Sequence, residues 1–274
     1  MQWAFSGPAV APKLVCAAGT IAVAALLAGC VGGNAVSGGS TPSAGPGPHG
    51  QAAADAAPPF VEPVIEIGRS REVRPILLHR FGFGERPVLV LGGIHGSEGN
   101  SADCARQLVS YLRYHPMEAT NTPLAVIPEA NPDGLEVGVR FNAKRVDLNR
   151  NFPAANWVKG YASGPAPASE PETQAIVQII RDLRPRRILS IHSIAGEPCN
   201  NYDGPAEQLA RAMASANGYA VKGWIGYPTP GSLGSWAGAD LGIPVVTLEL
   251  PASTTGAEAW ERNRSAILQF IRGP

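Results

Sequence analysis

The sequence lacks an excess of charge of either sign. Its 274 residues carry 22 basic and 22 acidic side chains, a formal net charge of zero at pH 7. Nucleic-acid-binding proteins depend on a surplus of basic residues that neutralises phosphates, so this balance argues against a nucleic-acid partner. The chain, 45% hydrophobic, is large enough to build one good-sized core.

The sequence also lacks an apolar run of the length that crosses a membrane comfortably. Its apolar run near the N-terminus, "LVCAAGTIAVAALLAG", has 16 residues and follows Lys13, the only early charge. A spanning helix needs about 20 apolar residues. A shorter run that follows a positive charge is typical of a secretory signal peptide, and residues 1–29 are predicted to be one.

The signal segment ends in "LLAGC", which resembles the lipobox of bacterial lipoproteins. The resemblance implies that Cys30 is acylated and becomes the mature N-terminus. It also implies a lipid-anchored protein of the bacterial cell envelope that faces the periplasm. Acyl chains on one cysteine hold a protein at a membrane without a transmembrane helix. The alternative is a signal anchor with an unmodified Cys30.

Residues 30–59 contain almost no side chains that can pack. Gly, Ser, Pro and Ala dominate this stretch, which predicts a flexible tether. From residue 60 onward the composition changes, and the sequence shows no internal repeat and no second domain. Residues 60–274 are therefore predicted to form one folded domain.

The folded part alternates strand-like and helix-like segments. Apolar runs typical of buried strands are "RPVLVLGG", "PLAVIP", "RRILSIH" and "IPVVTLEL", with weaker signals in "EVRPILLHR" and "YAVKGWI". Helical patterns occur in "SADCARQLVSYLRY", "SEPETQAIVQIIRDL", "PAEQLARAMASA" and "AEAWERNRSAILQFI". In the second of these, Ser169 precedes Glu172 with the spacing of a capping box. The alternation predicts an α/β fold with a mixed, mostly parallel twisted sheet and helices on both faces.

Three strand-like runs end near residues that bind metals or transfer protons. His95 and Glu98 follow "VLVLGG", His192 follows "RRILSI", and Glu249 lies in "VVTLELP". Ligands of α/β proteins collect where the carboxyl ends of strands meet, and the two glycines before His95 permit a sharp turn there. Two histidines and a glutamate are a common ligand set of catalytic zinc. Each residue alone is a weak signal, but together they predict a site at one edge of the sheet.

Residues 85–252 resemble the zinc carboxypeptidase family of metallopeptidases, and within it the murein peptide amidase branch. The resemblance rests on "GGIHGSEGN", "NPDG", "RFNAKRVDLNRNFP", "SEPET", "SIHS", "YPTPGSLGSWAG" and "VVTLELP", which occur in family order. It implies the fold of that family and one Zn2+ ion as cofactor. It also implies hydrolysis of an amide bond in a small peptide.

Matching positions imply the roles of individual residues. His95, Glu98 and His192 match the zinc ligands. Glu249 matches the general base that takes a proton from the zinc-activated water. Arg140 matches the arginine that stabilises the oxyanion, a role suited to its fixed charge and planar donors.

Further positions match residues that hold the substrate. Asn149 and Arg150 match the pair that binds the terminal carboxylate, and Tyr227 matches the tyrosine that covers bound substrate. Arg145 is an alternative to Arg140, because the loop before "DLNR" is shorter than in the digestive enzymes. Asp147 is expected to support its neighbours. Each residue also has a purely structural alternative, as a surface charge, a buried carboxylate or a packed aromatic ring.

The resemblance further implies a peptidoglycan-derived substrate, cleaved between γ-D-glutamate and meso-diaminopimelate. At the pocket position that sets side-chain preference in the digestive enzymes, Leu233 and Gly234 provide no acidic group. Two alternatives stay open: an N-acyl amino acid deacylase of the same superfamily, and a lipoprotein that binds wall peptides without catalysis. Cys104 and Cys199 form either a disulfide or two free buried thiols.

Overall fold

The computed structural model describes residues 62–160 and 162–273, which belong to one compact unit. The predicted signal peptide, Cys30 and the predicted tether lie outside the described residues. Among the residues that are described, no helix combines the length and apolar character needed to cross a membrane.

An eight-stranded mixed sheet lies at the centre of this unit. Its strands are β1 (Val64–Arg69), β2 (Pro75–Phe81), β3 (Val88–Leu91), β4 (Leu124–Ile127), β5 (Arg187–Ile194), β6 (Cys199–Asp203), β7 (Ala220–Lys222) and β8 (Val245–Pro251). They lie in the order β1-β2-β4-β3-β5-β8-β6-β7. The four central strands β4, β3, β5 and β8 are parallel, whereas β2 and β6 flank them in antiparallel pairings. The predicted mixed sheet is confirmed.

Helices cover both faces of the sheet, as predicted. They are α1 (Gly99–Tyr114), α2 (Pro132–Val137), α3 (Pro171–Leu183), α4 (Glu207–Asn217) and α5 (Gly256–Arg272), with a π-helical segment at Gly234–Asp240. Residues of α1, α4 and α5 share one buried core with one face of the sheet. Residues of α3 and the π-helical segment share a second core with the other face. Because both faces are covered, the central strands are continuously apolar.

The segments predicted as strands overlap β2, β3, β4, β5, β7 and β8, whereas β1 and β6 were not predicted. The β6 sequence "CNNYD" is mostly polar, and β1 is an edge strand with exposed apolar residues. Neither segment carries the apolar pattern of a central strand. Antiparallel pairing with β8 over Cys199–Asp203 holds β6 in the sheet.

The capping box predicted at the start of α3 is wrong. Glu170 is the N-cap and makes no capping bond, and the Ser169 hydroxyl donates to the Glu170 side chain. Glu172 is fully buried and accepts a hydrogen bond from a backbone N–H of the β1–β2 turn. A tertiary contact has thus taken the place of the local one. α5 does begin with a capping box, between Thr255 and Glu258.

The two cysteines of the folded domain are free thiols, and both are buried. Burial raises the pKa of Cys104 to about 12 and that of Cys199 to about 11. Cys104 lies on the buried face of α1 and packs in the core, while Cys199 opens β6 opposite Glu249. Of the two alternatives that the sequence left open, the structure shows the unbridged one.

Candidate metal centre and substrate pocket

Parallel strands bring the predicted metal residues to one edge of the sheet. β3 and β8 both pair with β5, so the carboxyl ends of all three strands meet. His95 lies just beyond β3, Glu98 is the N-cap of α1, and His192 lies in β5. Gly93, at φ +63°, makes the turn between β3 and His95 in a backbone conformation that favours glycine.

His95, Glu98 and His192 are buried and touch one another. The His95 Nδ1 atom is 2.7 Å from Glu98 Oε1, and the His192 Nδ1 atom is 3.1 Å from Glu98 Oε2. The two Nδ1 atoms are 3.2 Å apart. The backbone N–H of Ser193 also donates to Glu98 Oε2, at 2.9 Å, which fixes the carboxylate against β5.

This donor set fits a zinc ion. One ligand atom from each of the three residues lies within 4.8 Å of the others. Zinc binds histidine nitrogen and carboxylate oxygen at about 2.0–2.2 Å, so two ligands in tetrahedral geometry lie roughly 3.3 Å apart. The observed separations of 2.7–3.2 Å are close to that value. Three protein ligands are also the number found in catalytic zinc sites.

Asp147 contacts the side of the His95 ring that faces away from Glu98 and His192. Its Oδ1 atom is 3.1 Å from His95 Nε2, so the opposite ring nitrogen, Nδ1, faces Glu98 and His192. Its other oxygen accepts a hydrogen bond from Arg140 Nε at 2.9 Å. Burial alone would raise the pKa of Asp147, but the bond with His95 and the nearby arginines outweigh it and hold the pKa below its ordinary range. A carboxylate that orients a ligand histidine is a common feature of zinc sites.

Of the two candidate arginines, Arg140 lies beside the metal residues. Arg140 is partly buried, and its Nη1 atom is 3.6 Å from Glu98 Oε1. Its bond to Asp147 fixes the guanidinium beside the metal residues. Arg145 is exposed, in a turn at φ +60°.

Glu249 lies next to the metal residues on the neighbouring strand. It pairs in register with His192 and is 8% exposed. Burial raises the pKa of Glu249, and the charge of Glu98 raises it further, while His192 partly opposes the shift. A carboxylate with a raised pKa is a stronger base, as proton abstraction from water requires.

Asn149 and Arg150 occupy a short 3-10 turn that follows Asp147. The Asn149 backbone N–H donates to Asp147 Oδ1 at 2.9 Å, and its side-chain oxygen accepts from the Leu233 N–H at 2.9 Å. Arg150 Nη1 donates to the Asn149 carbonyl at 2.7 Å. Tyr227 lies outside this network, 49% exposed, in the loop that follows β7.

A polar pocket adjoins Glu249. Its lining includes Asn149, Ser190, Asn201, Asp203, Thr247 and Glu249. The buried Ser190 hydroxyl and Asn201 side-chain oxygen have no hydrogen-bond partner among the described residues. Buried polar groups are rarely left unpaired in folded proteins, so these two atoms are free to bond to a ligand or to a water molecule in the pocket.

Asp203 supplies the acidic group that Leu233 and Gly234 do not. A Cβ atom on Gly234 would lie 2.1 Å from Asp203 Oδ2, so only glycine leaves room for the carboxylate there. Among the described residues, no side chain pairs with Asp203, and burial raises its pKa. Sequence reasoning missed Asp203, because it ends a strand without an apolar pattern and lies 31 positions before Gly234.

Comparison with known proteins agrees with this geometry. The family model described as zinc carboxypeptidase matches residues 51–257. Murein peptide amidase A of Escherichia coli is 37% identical over 205 residues, which cover 67% of this chain and 78% of the relative. The protein belongs to the zinc carboxypeptidase family. It is accordingly a peptidase whose family uses one zinc ion.

Two further comparisons of this zinc carboxypeptidase, one of sequence and one of structure, agree with that assignment. Murein peptide amidase A of Vibrio campbellii is 33% identical over 183 residues, covering 60% of this chain and 68% of that protein. The crystal structure of the murein-tripeptide amidase from Escherichia coli O157 superposes with a TM-score of 0.68 at 32% identity. That match covers 78% of this chain and 94% of the other.

Proposed function

We propose that the protein hydrolyses peptidoglycan-derived peptides at the amide bond between γ-D-glutamate and meso-diaminopimelate. The observation that carries the proposal is the meeting of His95, Glu98 and His192 beside Glu249 and a polar pocket at the carboxyl edge of the sheet. The names of the relatives from Escherichia coli and Vibrio campbellii support murein peptides as the substrate class.

Each residue of the site has a defined task in this reaction. His95, Glu98 and His192 would hold the zinc ion, which when bound lowers the pKa of a water molecule and polarises the scissile carbonyl. The Glu249 carboxylate takes a proton from the attacking water and delivers it to the leaving amine as the C–N bond breaks. Arg140 donates to the oxygen that becomes negative in the transition state.

The pocket suits the diaminopimelate side of the bond. In this proposal Asn149 and Arg150 hold the α-carboxylate of that residue, and Tyr227, 49% exposed in the loop after β7, covers it. The far end of the diaminopimelate side chain carries one ammonium and one carboxylate group. Asp203 accepts the ammonium, and the unpaired Ser190 hydroxyl donates to the carboxylate. Opposite charge at buried positions gives specificity, because a side chain without an ammonium leaves Asp203 unpaired.

The decisive experiment is an assay of the zinc-loaded full chain with L-Ala-γ-D-Glu-meso-diaminopimelate, with products weighed by mass spectrometry. Free diaminopimelate and the dipeptide are the expected products. Two further substrates separate the alternatives: the same peptide with norleucine in the last position, and N-acetyl-aspartate. Preferential turnover of N-acetyl-aspartate would make the protein a deacylase, and tight binding of the tripeptide without products would make it a binding lipoprotein.

We further propose that acylated Cys30 anchors the enzyme at the bacterial envelope, facing the periplasm. The supporting feature is the "LLAGC" segment that follows the apolar run. Cells that express the full chain are fed a labelled fatty acid, and membrane and soluble fractions are compared. Cys30→Ala should lose the label, whereas the matched variant Cys16→Ala, within the apolar run, should keep it. Label that persists in Cys30→Ala rules out this anchor.

A further inference from the structure

The edge of the sheet opposite the metal residues carries a cluster of exposed apolar and basic side chains. We define it as the basal patch: Phe83, Arg86, Met117, Arg184 and Arg186. Phe83 is 93% exposed and Met117 is 77% exposed, although both are large apolar side chains. Four of these residues lie in the loops before β3 and β5, and Met117 lies in a short 3-10 helix before β4. The amino ends of β3, β4 and β5 are in register with one another.

The apolar and basic parts of the basal patch are continuous. The loop 82–87 lines a hollow with Pro116 and Met117 on one side and a charged hollow with Arg184 on the other. Hydrogen bonds join the segments: Arg86 Nε donates to the Arg184 carbonyl at 3.3 Å, and Arg186 Nε donates to the Arg86 carbonyl at 2.9 Å.

The basal patch is positively charged. Arg80, Arg86, Arg181 and Arg184 line the charged hollow together with Glu85 and Asp182, and Arg186 adjoins it. The charged hollow and Arg186 together thus carry five positive and two negative charges, and one of the positive groups, the Arg181 guanidinium, lies 6.0 Å from the Trp236 ring centroid. Arg86, Arg184 and Arg186 form no ion pair with an acidic side chain of any described residue. These charges remain available to an external anion.

Two of these arginines occupy positions that favour glycine. Arg86 is at φ +51° and Arg184 at φ +45°, and Arg184 is the C-cap of α3, a place where glycine is the usual residue. A non-glycine residue in this region is strained. Glycine at either position would therefore relieve backbone strain and remove one positive charge.

We propose that the basal patch docks on the anionic surface of a lipid bilayer, with Phe83 and Met117 entering the interface and the arginines contacting headgroup phosphates. Apolar side chains rimmed by arginines suit such a surface, because the membrane offers both an apolar layer and negative charge. A soluble polyanion offers the charge but nothing to cover Phe83.

The fold is consistent with this orientation. The Arg80 N–H donates to the Pro63 carbonyl at 3.0 Å, so the chain enters the described domain beside the basal patch. His192 lies five residues beyond Arg187 along β5, about 17 Å at 3.3 Å per residue. Docking through the basal patch therefore turns the metal residues away from the lipid. The proposal depends neither on the reaction catalysed nor on acylation of Cys30.

Hydrogen exchange of the full chain carrying Cys30→Ala, mixed with vesicles, tests the proposal. With phosphatidylglycerol–phosphatidylethanolamine vesicles, amides in 80–87 and 114–120 should be protected relative to phosphatidylcholine vesicles, while those in 227–231 should not change. Unprotected 80–87 amides in vesicle-bound protein would overturn the proposal, since other segments would then hold the protein on the lipid. Equal protection by soluble polyphosphate would also overturn it, because charge alone would suffice.

The double variant Arg86→Gly and Arg184→Gly removes two charges and relieves both strained positions, so that it should fold at least as well as the parent. The affinity for phosphatidylglycerol-containing vesicles should fall about 25-fold, and the hydrogen-exchange protection of amides in 80–87 should fall with it. The matched control, Arg211→Gln with Arg264→Gln, removes the same charge from α4 and α5 and should keep the protection. Equal loss in both double variants would show a general charge effect and contradict a specific basal patch.

Discussion

The central strands place the metal residues at their carboxyl ends, here called the carboxyl edge, and the basal patch at their amino ends, here called the amino edge. The two edges differ in burial and in charge. β5 begins at Arg187 beside an exposed basic surface and, five residues later, places His192 in a buried cluster with Glu98 and His95. At the carboxyl edge, polar groups are buried and bonded to one another, which fixes their positions. At the amino edge, the arginines face solvent and bond chiefly to backbone carbonyls. The buried groups of the carboxyl edge are thus suited to catalysis, whereas the exposed arginines of the amino edge are suited to attracting an anionic partner.

The largest effect is expected at the carboxyl edge. Glu249→Gln should lower kcat on the tripeptide by about 10²–10⁴-fold, because the amide cannot accept the proton of the attacking water. Steady-state kinetics measure the fall in kcat. Atomic absorption measures the zinc content, which should not change. Glu136→Gln, at an exposed position on α2, is the matched control. A Glu249→Gln enzyme as fast as the parent would eliminate this mechanism.

Asp147→Asn tests how much zinc binding depends on the contact between Asp147 and the His95 ring. The variant replaces the carboxylate that bonds to His95 and Arg140, and zinc affinity should weaken about 10–100-fold. Competition with a chromophoric chelator measures the affinity. Asp182→Asn, exposed at the amino edge, should bind zinc as tightly as the parent. Unchanged affinity in Asp147→Asn would mean that other contacts hold the His95 ring.

Asp203→Asn separates substrate selection from catalysis. The kcat/KM value for the diaminopimelate peptide should fall roughly tenfold, because the amide no longer neutralises the ammonium group. For the norleucine peptide kcat/KM should stay the same or rise. The ratio of the two values is therefore the measurement. A parallel fall for both peptides would show that Asp203 maintains the fold of the pocket and does not select the side chain.

An effect on stability and not on activity is expected at Glu62, a buried carboxylate outside both edges. Burial would raise the pKa of Glu62, but Arg113 and His79 outweigh it and lower the pKa from 4.5 to about 2. Its contribution to stability is therefore complete above pH 4.5 and is lost as the pH falls toward 2. Glu62→Gln should lower the free energy of unfolding by about 1.5 kcal/mol at pH 6 and have little effect near pH 2.

Urea unfolding across this pH range measures the Glu62 effect, and zinc binding at pH 7 should not change. Glu66→Gln is the control, since the exposed pair of Glu66 with Arg69 contributes about 0–1 kcal/mol. Equal destabilisation by Glu62→Gln at both ends of the range would assign the loss to packing and remove the ionic explanation.

Much of the carboxyl edge was predictable, because its residues follow strong local patterns. His95 and His192 come directly after apolar runs, and parallel strands share one edge regardless of how far apart they lie in the sequence. Asp203 was not predictable in this way. Its strand is polar, and its place in the pocket depends on pairing with β8 and on the close approach of Gly234. The capping box expected at Ser169 failed for a related reason, since a tertiary bond took Glu172.

By itself, the sequence determined the α/β class, the edge at which the site lies and the residue types that meet there, because apolar periodicity and strand direction are local properties of the chain. The tertiary structure alone decided that Asp147 orients His95, that Arg140 and not Arg145 stands beside Glu98, and that Asp203 enters the pocket. It also decided that Cys104 and Cys199 stay apart as thiols. These are contacts between distant segments, and their geometry depends on the packing of the whole sheet.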